Sequence, residues 1–159
     1  MRKARGRICI RETTPVQVTA VCYRHDAGST RFLLVRTSSG RWTFPKGRLE
    51  DGLSQAEVAA LEAFEEGGVE GRVHPRPVGR YLHRKESLRG ASKDVCVLAY
   101  ILEVKKSAVP AESHRTPRWF TATEAKQRLA NRRSAKYLRG MERVFDSALQ
   151  QIARKKSHQ

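Results

Sequence analysis

Cysteine, acidic side chains and long apolar runs are all scarce in this 159-residue sequence, and each scarcity excludes something. The cysteines are Cys9, Cys22 and Cys96, an odd number with no metal-ligand spacing, which rules out a disulfide framework. Cys22 and Cys96 lie inside apolar stretches and read as small core residues, in keeping with a reducing cytoplasm. The longest apolar run, Val95 to Leu102, is far too short to span a bilayer. The basic start, Met1 to Arg7, leads into no long apolar region, so neither a membrane span nor a secretion signal is expected. No internal repeat or low-complexity linker is present. Acids number 16 against 32 Lys and Arg, a formal charge of +16. Such a field draws polyanions: nucleic acid, an acidic membrane surface, or a small substrate dense in phosphate. Charge alone does not choose among these, and a basic solubilising surface would look the same.

What is present is one globular domain, expected over 13–153, between a basic segment 1–12 and a frayed basic tail 154–159. Val16, Val18, Ala20 and Cys22 alternate, which marks a strand over 15–24. Phe32 to Val35 is a second, buried strand, with a hairpin turn at Asp26-Ala27-Gly28-Ser29. Trp42-Thr43-Phe44 is a short strand stopped by Pro45, and 46–53, with two glycines, reads as a loop. A helix follows, with Ser54 and Glu57 spaced as a capping box and Gly67-Gly68 at its end. Residues 72–105 read as two long strands turning at Arg89 to Ser92, and Pro110 to Pro117 as a loop. Trp119-Phe120 reads as a short strand, followed by a helix from Thr121 or Thr123. Tyr137, Met141, Val144, Phe145, Ala148, Leu149 and Ile152 recur at helical steps in a last helix that Arg132 and Arg133 should begin. The order predicts an α/β (α+β) sandwich, a mixed β-sheet flanked by helices.

Glu62, Glu65 and Glu66 fall at i, i+3 and i+4 on the first helix and project from one face. Like charges so spaced oppose the helix unless a hard divalent cation relieves them. An acidic, solvated helix face would show the same triplet.

Around that triplet the sequence resembles the Nudix family. The family box reads G-x5-E-x7-R-E-U-x-E-E-x-G-U, with U apolar. It fits Gly47, then Glu62, Glu65-Glu66, Gly68 and Val69, directly after Trp42-Thr43-Phe44-Pro45. Two positions depart: the first glutamate is Leu53 and the arginine is Leu61. In the family these make an ion pair; loss of both partners together can be neutral, so Leu53 is expected to pack on Leu61. The resemblance implies a Nudix fold and a Mg²⁺- or Mn²⁺-dependent phosphohydrolase. Glu62 and Glu66 would be the main metal ligands, with Glu65 a further one and the Gly47 carbonyl completing the set. Glu65 is one candidate general base; Glu86 and Asp94 outside the box are others. A non-hydrolytic member remains compatible with the two departures.

Beyond the box, residues 15–145 resemble the diphosphoinositol polyphosphate phosphohydrolases, a subgroup that also cleaves diadenosine polyphosphates. The matching stretches are Arg41-Trp42-x-x-Pro45-x-Gly47, Glu65-Glu66-x-Gly68-Val69-x-Gly71 and Arg118-Trp119-Phe120. The subgroup's Pro-Gly-Gly-Gly loop is Pro45-Lys46-Gly47-Arg48 here, two cations in place of two glycines. The resemblance implies a small polyphosphate substrate and marks the positions of Arg41, Lys46 and Arg133 for binding it; Arg48, flanking the box, is a fourth candidate. Arg80, Arg84, Lys85 and Arg132 are further basic candidates, since arginine forks suit phosphate oxygens. Trp42 could stack on a base or pack in the core, and Trp119 reads as core. The alternatives are an RNA 5′-end pyrophosphohydrolase, its basic face tracking the backbone, and a binding protein without turnover.

Overall fold

In the computed structural model residues 15–86, 90 and 92–158 are described, with the backbone alone described for Val16 and Glu86. The elements are β1 (Pro15–Asp26), β2 (Ser29–Arg36), β3 (Trp42–Thr43), β4 (Lys46–Arg48), α1 (Gln55–Gly67), β5 (Val69–Val73), β6 (Gly79–Glu86) and β7 (Ser92–Ser107). A short 3₁₀ turn at Ser113–Arg115, β8 (Arg118–Thr121), α2 (Ala122–Ala130) and α3 (Ala135–Ser157) complete the described chain.

The sheet is mixed, and β1 is its centre. β1 runs parallel to β7 from Gln17↔Val97 to Tyr23↔Glu103. Its other edge is shared. β4 takes Gln17 to Thr19 and β2 takes Tyr23 to Asp26, both antiparallel. The far edge of β7 is divided likewise, with β6 on Ser92 to Ala99 and β5 on Leu102 to Ser107. The sheet therefore forks at both sides of its central pair. At the β2/β4 fork the amide of Ala20 and the hydroxyl of Thr19 both donate to the carbonyl of Pro45, at 2.9 and 2.8 Å.

The alternation read from β1 is real, but both faces are buried. Val18, Ala20 and Cys22 pack with Val58, Ala59 and Ala63 of α1. Val21 and Tyr23 point the other way, into a core with Phe32, Phe44, Tyr81, Leu129 of α2 and Met141, Val144 and Phe145 of α3. A helix–sheet–helix sandwich results, as the element order predicted. Ala27 and Gly28 hold φ of 46° and 81°, the geometry of a two-residue hairpin turn. Cys22 and Cys96 are free and buried. Among the described residues, no helix is long and apolar enough to cross a membrane.

Several expectations are corrected. Residues 46–48 are a strand, because β4 pairs with β1. The stretch 72–105 holds parts of three strands; half of its predicted turn, residues 89 and 91, and all of segment 1–12 lie outside the described residues. Arg132 and Arg133 stand in the turn before α3, whose N-cap is Ser134. The tail is not frayed: α3 runs through Ser157, with Lys155 bonded to Glu103 on β7. Leu53 is 39% exposed and Leu61 only half-buried, and neither belongs to a core cluster. The predicted buried leucine pair is thus a surface feature of the loop and helix.

Candidate active site

α1 sets the site because its ends are fixed. The Ser54 hydroxyl accepts from the amide of Glu57, and the Glu57 carboxylate accepts from that of Ser54, at 3.1 and 3.0 Å. Such a cap contributes about 1 kcal/mol. Gly68 ends the helix at φ 67°, where a Cβ would strike the carbonyl of Ala108. Between these ends Glu62 and Glu66 face inward and are 9% and 2% exposed.

Their third partner is Glu112, from the loop after β7. Single carboxylate oxygens of Glu62, Glu66 and Glu112 lie within 4.8 Å of one another. Glu65, expected in this group, is half-buried beside it. Its backbone carbonyl accepts the Glu112 amide at 2.9 Å, which ties the loop to α1. Gly47 of β4 lies against the cluster, and any Cβ there would collide with the Glu62 carboxylate.

Burial first, then the charges of Glu66 and Glu65, push the Glu62 carboxyl up to about 7. Glu66 is also raised by burial, opposed by the Arg115 guanidinium and the Lys46 amide. That amide donates to Glu66 Oε1 at 3.0 Å, and Arg115 Nε stands 3.3 Å from Glu66 Oε2. Carboxylate oxygens this close could hold a cation, and such hard donors suit Mg²⁺ or Mn²⁺.

A basic cleft of about 430 Å³ opens from Glu66, lined by Arg41, Lys46, His83, Arg84, Lys85 and Arg115. An adjoining hollow of about 400 Å³ shares Arg41, His83 and Arg84 and adds Arg132, Arg133 and Tyr137. Burial, outweighing the pull of Glu66, lowers the Lys46 ammonium to about 8, with Arg133 and Arg115 adding to the effect. Burial and the cations Lys46, Arg133 and Arg41 bring His83 down to about 3, so its ring is neutral at pH 7.

Of the sequence candidates, the fold brings Glu62, Glu66, Gly47, Arg41, Lys46 and Arg133 to one place, with Glu65 at its margin. Arg48 is exposed and lines neither hollow. Arg84, Lys85 and Arg132 join the cleft; Arg80 does not. Asp94 is exposed and held by Lys136 at 2.6 Å, a hydrogen bond that lowers its carboxyl. The Glu86 side chain lies outside the described residues. Sequence reading missed Glu112, Arg115 and His83, none of which sits in a spaced pattern, and it read Tyr137 only as part of the apolar stripe of the last helix.

Aromatic faces near the cleft are taken. Trp42 is 7% exposed, with Phe120 edge-on at 5.2 Å and the Arg36 guanidinium 4.7 Å from its centre. Arg133 covers Tyr137 at 4.5 Å and donates to the Trp42 carbonyl at 3.2 Å. Trp119 is half-buried under Arg24 at 3.9 Å. A larger cavity of about 820 Å³, between the β5–β6 loop and the end of α3, contains none of the clustered carboxylates. The smaller, charged cleft is the one that meets the carboxylate cluster, at Glu66.

Comparison with known proteins finds relatives in sequence and in fold. The mouse asymmetrical bis(5′-nucleosyl)-tetraphosphatase is 31% identical over 107 residues, covering 64% of this chain and 71% of the mouse protein. The mitochondrial Nudix hydrolase 13 of Arabidopsis thaliana is 34% identical over 90 residues, 52% of this chain; the match spans 44% of the plant protein's length. Among solved structures, a C. elegans Ap4A hydrolase binary complex superposes with TM-score 0.61 at 21% identity, covering 88% of this chain and 98% of the other. The NUDIX domain of Shewanella oneidensis NrtR bound to ADP ribose gives TM-score 0.62 at 13% identity, over 94% and 95% of the two chains. Residues 14–141 match the NUDIX domain, and the chain belongs to the Nudix family.

Proposed function

We propose that the protein hydrolyses phosphoanhydride bonds in a small, densely phosphorylated substrate, of the diadenosine polyphosphate or diphosphoinositol polyphosphate kind. The observation that carries this is a buried carboxylate cluster opening directly into a cleft of arginines and lysines. Glu62, Glu66 and Glu112 would hold a divalent cation, Mg²⁺ or Mn²⁺, with Glu65 and the Gly47 carbonyl at its margin. Such a cation neutralises phosphate charge and acidifies a water. Lys46, Arg41, Arg84 and Arg133 draw in the phosphate chain and orient it along the cleft. Glu65, beside the cluster, accepts the proton of the attacking water. Asp94, bound to Lys136, is poorly placed for that task.

The similarity to the mouse tetraphosphatase supports a nucleotide polyphosphate. The covered faces of Trp42 and Tyr137 support recognition led by phosphate rather than by base stacking. Purified protein with Mg²⁺ is offered diadenosine polyphosphates, diphosphoinositol polyphosphates, ADP-ribose and 5′-triphosphate RNA. Turnover of the first two is expected, reduced by orders of magnitude in Glu66→Gln while the fold, read by circular dichroism, stays intact. Preferred turnover of the RNA would favour an end-processing enzyme. Ligand binding without any turnover would mean a binding protein, and a fully active Glu66→Gln would overturn the carboxylate assignment.

A further inference from the structure

Arg115 stands between the two halves of the site in an unusual way. A guanidinium locked on a carboxylate makes two parallel, aligned bonds. Arg115 instead spreads over two acids, with Nε 3.3 Å from Glu66 and Nη2 3.7 Å from Glu112. Its Nε is buried and has no aligned acceptor, so this donor is left unsatisfied. The contact neutralises charge without using the donor geometry that makes arginine pairs tight.

The same side chain also lines the cleft, beside Lys46, Lys85 and Arg41. The loop that carries it is fastened independently. The Ala108 amide donates to the Gly68 carbonyl at 2.7 Å, and Glu112 to that of Glu65 at 2.9 Å. The backbone at Arg115 is itself held by the Glu112 carbonyl at 3.1 Å. Arg115 can thus change partner while Glu112 keeps its place on α1.

We propose that Arg115 is an exchangeable counterion that couples cation binding to polyphosphate binding. It rests on Glu66 and Glu112 while they lack another cation, and it turns to the phosphate in the cleft when a divalent ion holds them. The inference rests on the reading of the cluster as a cation site. Arg115 then opposes the metal alone and favours the metal–phosphate pair, and linkage makes that coupling reciprocal.

The test measures two affinities of the full chain, for Mn²⁺ alone and for the Mn²⁺–tripolyphosphate complex, in the parent, Arg115→Gln and Arg115→Lys. In Arg115→Gln, Mn²⁺ alone is expected to bind about tenfold tighter and the complex about tenfold weaker. Arg115→Lys, which keeps the charge, moves both values back toward the parent. A purely structural role would shift the two affinities in the same direction, and that result overturns the proposal. So does Mn²⁺ binding that is equal in all three proteins, which leaves the cation site standing. Absence of Mn²⁺ binding in the parent and both variants would instead overturn the cation site itself, and the proposal with it.

Discussion

Replacing Glu62 by glutamine should stabilise the metal-free protein at pH 8. The Glu62 carboxyl moves from an ordinary 4.5 to about 7 in the folded state, chiefly through burial. That displacement corresponds to a cost of about 3 kcal/mol on its charged form. A folded value raised above the unfolded one means that the associated stability is complete below 4.5. It is lost as pH climbs through about 7. At pH 8 the parent bears the full cost, and glutamine removes it. The new amide still needs partners, which returns about 1 kcal/mol. The net gain is about 2 kcal/mol, or about 4–8 °C in melting temperature for a domain of this size. Thermal melts in chelator from pH 4 to pH 9 test this: the difference should vanish near pH 4, grow between 4.5 and about 7, and stay level above that. Added Mn²⁺ should raise the parent's melting temperature and leave the variant's nearly unchanged. A Glu62→Gln protein that melts at or below the parent at pH 8 in chelator would refute the account of the buried cluster.

Three further outcomes follow from the same geometry. Leu61→Arg should cost less than about 0.5 kcal/mol in urea unfolding, since the position is half-exposed and no buried charge is created; a loss above 2 kcal/mol would mean the side chain is buried after all. Gly47→Ala should displace the Glu62 carboxylate and lower Mn²⁺ affinity by at least tenfold, measured by equilibrium dialysis, and an unchanged affinity would remove Glu62 from the ligand set. Arg41→Ala should raise KM for the polyphosphate several-fold while Arg48→Ala leaves it unaltered, because Arg41 alone of the two lines the cleft; equal effects would refute that division.

Periodicity and punctuation made much of the fold readable from residue order. Alternation in β1, the Ser54/Glu57 cap, the Gly68 stop and the apolar stripe of α3 are local signals, and each marks an element that forms. What was hidden depends on contacts distant in sequence. Lys46 to Arg48 read as a loop because its strand character comes only from the edge of β1. The last turns of α3 read as frayed because Lys155 finds Glu103 across the fold. Leu53 and Leu61 looked like a matched core pair, but apolar character does not reveal exposure. At the site, helical spacing put Glu62 and Glu66 together. It could not separate Glu65 from them, nor anticipate that Glu112 arrives from another loop.

The parallel union of β1 with β7 has a consequence for how this chain reaches its working form. Two strands that pair over Pro15 to Tyr23 and Cys96 to Glu103 are separated by the whole of β2 to β6 in sequence. Closing so large a loop costs entropy before any contact rewards it, so this pairing is a slow step of folding. Glu112 follows β7 directly, and so it joins Glu62 and Glu66 only once that closure is made. A nascent chain that has not yet added β7 carries the whole stretch from Gly47 to Val69 but lacks the carboxylate trio, which is therefore assembled late in synthesis.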